Sequence, residues 1–150
     1  MLASHTKAVH LRVDTIEQAI RNLCSIEIES EGYNLAYRVA SDNLNIGNSV
    51  VADSCNTIKL SRDEWEDVAE KCNVNFINIE IQCSNNEEHK SRVENRKTNI
   101  SNFKLPTWLD VKNREYEAWS ERNIHIDTAT QTIDKSFSEL LLQLGLSTKD

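Results

Sequence analysis

The chain has 150 residues, 39% of them hydrophobic and 27% charged, which predicts a single globular domain spanning 1–150 with a real core. A formal net charge of −7 and a pI of about 5.1 argue against a nucleic-acid or anionic-membrane binder, because such proteins need an excess of Lys and Arg. No stretch approaches the roughly 18 apolar residues of a membrane helix. The opening MLASHTKA lacks the apolar segment of a secretory signal, so the expected location is the cytoplasm.

Four short segments rich in Val and Ile read as strands: 9–13 (VHLRV), 49–53 (SVVAD), 76–83 (FINIEIQC) and 124–127 (IHID). The VVA triplet predicts burial on both faces, whereas INIEIQC alternates and belongs nearer an edge. Helices fall between them. One opens at Asp14, with Thr15 and Gln18 spaced as a capping box. A second covers 33–44, and a third opens at 61–65 with Ser61 as N-cap. A charged helix over 85–96 has Ser84 as its cap, another covers 110–119, and the last runs over 134–144 and stops at Gly145. The polar segment 97–105 reads as a surface loop. Strands alternating with helices predict an α/β fold with a mainly parallel sheet covered on both faces.

Ligands of open α/β sheets bind beyond the carboxyl ends of the strands. That rule selects Asp14, Asp53, the Ser84 region, Asp127 and Thr128, and acids at strand ends suit Mg²⁺ and phosphate chemistry. Asp53 ends an apolar strand, where an acid has less structural reason, but the others also have plainer roles. Asp14 reads as a helix N-cap, and Asp127-Thr128 serves equally as a turn. Arg92 and Arg96, with Glu88 before them, read from spacing alone as solvated i,i+4 pairs. Cys24, Cys55, Cys72 and Cys83 form no CxxC pair, so reduced thiols are expected rather than a zinc site. Trp65, Trp108 and Trp119 read as packing anchors.

The pieces LRVDTIEQAIR, GYNLAYRVASDNL, VVADSCN, RDEW, EHKSRVENR, LPTW, REYEAW and IDTA follow one another in an order that resembles the bacterial AAA-type P-loop kinase-like proteins, relatives of gluconate, shikimate and adenylylsulfate kinases. The resemblance runs from about Val9 onward. It implies a three-layer P-loop kinase-like fold with a lid over about 85–105. It also implies ATP and Mg²⁺ as cofactors and a small-molecule phosphoryl acceptor as substrate. Under it, Asp14 orients the acceptor or acts as general base, and Asp53 lies near Mg²⁺ or the acceptor. Arg92 and Arg96 are the lid arginines over the nucleotide phosphates, and Asp127 and Thr128 stand beside the adenine.

One part of that pattern is missing. The family opens with a buried strand followed by Gly-x-x-x-x-Gly-Lys-Ser/Thr, whose N–H groups and lysine grip the phosphates. This sequence has no such motif, and its first glycine is Gly32. The absent strand is the family's central one, so its loss would leave two unpaired sheet edges. Three expectations follow. The chain is a degenerate or truncated kinase-like protein without phosphotransferase activity as given. Alternatively, it is an interaction or regulatory module that completes its sheet with a partner or a second copy, as a homo-oligomer through exposed edges. In the third case the natural chain has a longer N-terminus and is an active kinase.

Overall fold

Residues 1–24, 27–119 and 123–147 are described by the structure, a computed structural model. Their order is α1 (Leu2–Thr6), β1 (Val9–Arg12), α2 (Val13–Leu23), α3 (Glu31–Asn45), β2 (Val50–Asp53), α4 (Lys59–Lys71), β3 (Asn78–Gln82), α5 (Asn86–Asn95), α6 (Trp108–Asn113), β4 (Asn123–Asp127) and α7 (Ile133–Gln143). The fold is mixed α/β. Its strands form two separate two-stranded parallel sheets, β1 with β2 and β3 with β4. The chain divides into two compact units, Met1–Phe76 with Thr98–Leu105, and Ile77–Lys97 with Pro106–Asp150.

In the first unit, β1 and β2 pair in the register Val9↔Val50 to Arg12↔Asp53. The connection runs through α2 and α3, as two parallel strands require. Helix α3 packs on α2 and on the sheet. Its Ala36 and Ala40, one turn apart on the same face, are wholly buried, and their small side chains let the helix come close. Gly32 serves the same end, because a Cβ there would stand 2.2 Å from Cγ of Glu17 on α2. Segment 98–105 joins this unit, where Arg12 donates to Asn99 Oδ1 at 2.9 Å.

In the second unit, β3 and β4 pair from Asn78↔Asn123 to Gln82↔Asp127. Because side chains alternate along a strand, Ile79, Ile81, Ile124 and Ile126 share one face, and Asn78, Glu80, Gln82, Asn123, His125 and Asp127 share the other. Helix α7, with Leu140 and Leu141 buried, packs on β4 and leaves Ile126 with no exposed surface.

Apart from the end of α6, strand and helix positions follow the sequence pattern to within a few residues, but burial and capping depart from it. The VVA triplet is half-buried to exposed rather than enclosed, and among the described residues β2 is paired on one edge only. On β3 the alternation is inverted: Glu80 is buried and Ile81 exposed. The reason is that Glu80 accepts from the Tyr116 hydroxyl and the Gln82 amide, and from Asn123 Nδ2 at 2.8 Å, so its carboxylate is satisfied under cover. Helix α2 starts at Val13 with Arg12 at the N-cap position and no side-chain cap, three residues too early for Thr15 to serve. Ser61 lies inside the first turn of α4 and donates back to the Ile58 carbonyl. Asn85 rather than Ser84 caps α5, accepting from the N–H groups of Glu87 and Glu88. The helix expected over 110–119 is the shorter α6, opened by a Thr107–Asp110 capping box, and 114–119 is not helical.

Candidate functional site

The carboxyl ends of β1 and β2 lie side by side because the strands are parallel and in register. There Asp53 Oδ2 meets His10 Nε2 at 3.1 Å, both half-exposed. Asp14 sits in the first turn of α2, where a carboxylate is favoured by the helix dipole. After β2 the chain turns at Asn56, which has a positive φ of 43° and whose Oδ1 accepts from the Ser54 hydroxyl at 2.8 Å. Tyr33 of α3 is part of this end. Burial raises the pKa of its hydroxyl, and proximity to the Cys55 thiol adds to the effect, against hydrogen bonding to Ser54 and to the Asn56 backbone. Tyr37 stacks edge-on against Trp65, with ring centroids 4.6 Å apart, and donates to Glu64 at 3.0 Å. Burial and that carboxylate both raise the pKa of the Tyr37 hydroxyl.

At the carboxyl ends of β3 and β4, Asp127 and Thr128 form the centre of a polar knot. Asp127 accepts from the Ser84 hydroxyl at 2.5 Å, the Ser84 N–H at 3.0 Å and the Ala129 N–H at 3.0 Å. These bonds, led by the Ser84 hydroxyl, hold its pKa down to about 2, with a smaller contribution from His125. Arg92 of α5 donates to Thr128 Oγ1 at 2.8 Å and to the Thr128 carbonyl at 3.0 Å, and pairs with Glu88 at 2.5 Å. Glu88 also accepts the N–H of Thr130, a β-branched residue at a positive φ of 58°. Arg96 donates to the Pro106 carbonyl at 3.3 Å.

The six residues singled out from the sequence therefore fall into two sets. Asp14 and Asp53 belong to the first unit, with Asp53 brought to His10. Arg92, Arg96, Asp127 and Thr128 belong to the second, where Arg92 and Thr128 are bonded directly. The expected lid segment is divided, with 85–97 in the second unit and 98–105 in the first. Sequence reasoning missed the His10–Asp53 pair and the Tyr116–Glu80 contact. The first had a readable signal in two polar side chains on neighbouring strands, two register positions apart on one face.

In the turn after β4, the Ala129 and Thr130 N–H groups donate to the carboxylates of Asp127 and Glu88 and are thereby already engaged. None of the four strand-to-helix junctions carries a glycine. Gly32 lies within α3, and Gly47 and Gly145 follow helices at positive φ. No group of three His, Cys, Asp or Glu side chains able to share a metal ion occurs among the described residues. The residues present do not reproduce a nucleotide-phosphate grip. Compared with protein-family models, curated proteins and solved structures, the chain matches none of them.

Acid should loosen the turn after β4. Asp127 has a depressed pKa, so its contribution to stability is present in full above its ordinary value of 3.8 and lost as pH falls toward about 2. Asp127→Asn should remove that part of the acid sensitivity. Urea midpoints between pH 5 and pH 2 measure it: the two proteins should converge at the acid end, and parallel curves would contradict the assignment.

Proposed function

We propose that this chain is a degenerate P-loop kinase-like domain of the small-molecule kinase type, without phosphotransferase activity in the form of these 150 residues. The reading is supported by two parallel strand pairs with acids at or just beyond their carboxyl ends, Asp53 and Asp14 in one unit and Asp127 in the other. It is also supported by Arg92 on the helix after β3 and Arg96 at its C-cap. One observation carries the loss of activity. No strand-to-helix junction has the glycine that lets backbone N–H groups wrap a phosphate, and the donors in the turn after β4 are taken by Asp127 and Glu88. Phosphoryl transfer depends almost wholly on positioning and charge neutralisation, so losing the grip removes the reaction even where acceptor-side carboxylates persist. On this reading Asp14 and Asp53 are remnants of an acceptor site. Arg92 is a brace of the turn after β4 rather than a lid.

The test is ATP turnover with Mg²⁺ across a panel of small polyhydroxylated acceptors, beside Asp53→Asn. Rates indistinguishable from the variant and from buffer support the reading. Turnover by the parent chain that falls in Asp53→Asn would overturn it.

A further inference from the structure

Independently of any nucleotide chemistry, the second unit presents a strand edge whose own pattern states what would pair with it. Among the described residues β3 is hydrogen-bonded to β4 alone. The Thr128 N–H donates to the Gln82 carbonyl at 2.8 Å, which fixes the phase of the ladder. Backbone groups of Asn78, Glu80 and Gln82 face β4, and those of Ile79 and Ile81, with Ile77 ahead of them, face the outer edge. The side chains along that edge are apolar and uncovered, with Ile77 61% and Ile81 57% exposed. The strand lacks the Pro, Lys or bulge with which proteins blunt an open edge. A two-stranded sheet is also marginal by itself.

We infer that β3 pairs antiparallel with β3 of a second copy of this chain, about a two-fold axis through Ile79. A two-fold pairing must be self-complementary, and this strand is. With Ile79 opposite Ile79 of the second copy, Ile77 meets Ile81, and every outward backbone group of the three finds its mate. On the other face Glu80 meets Asn78, so its carboxylate faces an amide. A register shifted to centre on Glu80 would set the two carboxylates opposite each other, which is unfavourable. The single charge of NIEIQ thus selects one register, and the product is a continuous four-stranded sheet in the order β4-β3-β3-β4. Strand β2 is the weaker candidate, because it has four residues, its valines are half-buried and it ends in Asp53.

Sedimentation velocity of the intact chain from micromolar concentration to about 1 mM should show a monomer–dimer equilibrium. Over the same range, hydrogen exchange should slow at the Ile77, Ile79 and Ile81 amides, whereas Glu80 and Gln82 should be protected at every concentration. Ile81→Lys should raise the dissociation constant by at least about tenfold, as charges on edge strands do. Register is read by disulfide formation in a background with Cys24, Cys55, Cys72 and Cys83 all replaced by serine, where Ile79→Cys should cross-link to its own copy and Ile81→Cys should not. A monomer throughout, a dimer that leaves the three isoleucine amides unprotected, or a dimer in which Ile79→Cys does not cross-link would overturn the proposal. The exchange measurement uses the unsubstituted chain, so misfolding of a variant cannot mask the answer.

Discussion

Ile126→Ala should cost the second unit about 2–5 kcal/mol, the largest loss expected of any single truncation in it. Ile126 has no exposed surface and is the largest side chain so completely enclosed among the described residues. It lies on the isoleucine face of β4, on which α7 packs with Leu140 and Leu141 buried. Truncation leaves a cavity that two strands and one helix have little means to refill. Ile126→Val removes one methylene and should cost about 0.5–1.5 kcal/mol. Urea unfolding followed by far-UV circular dichroism gives both values. A cost for the alanine variant no larger than for the valine variant would mean that α7 does not hold β4 as described.

Gly32→Ala should destabilise the first unit by roughly 1–3 kcal/mol, although alanine is the better helix former by about 1 kcal/mol. The added Cβ would stand 2.2 Å from Glu17 Cγ, a separation no pair of carbons sustains. Glu17 does not swing away freely, because Arg21 holds its carboxylate at 3.0 Å. In a Glu17→Ala background the obstacle is gone, and Gly32→Ala should become neutral or stabilising. The four proteins form a double-mutant cycle, and additive effects would show that the α2–α3 contact is not what fixes glycine at this position.

Much of the backbone was legible. The β-branched runs around Val9, Val50, Ile79 and Ile124 gave strands, and the stretches between them gave helices, because both readings rest on local periodicity. What stayed hidden depended on distant partners. Glu80 is buried because Tyr116, 36 residues later, donates to it, and no window around NIEIQ contains that tyrosine. Ser84 and Asn85 are both good caps for α5, and the choice between them is made by Asp127, which engages Ser84 from 43 residues away. The Thr107–Asp110 box is local, and it opens α6 two residues before the start that the 110–119 pattern suggests.

At the candidate site, residue type and strand-end position picked out Asp53, Asp127 and Thr128, and the structure places all three at carboxyl ends of parallel pairs. The engagement of Arg92 by Thr128 was not legible, because spacing offered only Glu88 as its partner. That engagement matters for function. A guanidinium already satisfied by a hydroxyl, a carbonyl and a carboxylate gains less from a phosphate than an open one, since those bonds must be broken first.

Calorimetric titration of the chain with ATP·Mg²⁺, beside Arg92→Ala/Arg96→Ala, asks whether a nucleotide is held at all. Neither protein should give saturable heat up to about 1 mM nucleotide, the weak limit at which binding free energy is roughly −4 kcal/mol. Saturable binding by the parent chain that disappears in the double variant would contradict the loss of the phosphate grip, by showing that the arginines hold a nucleotide without a glycine-rich loop.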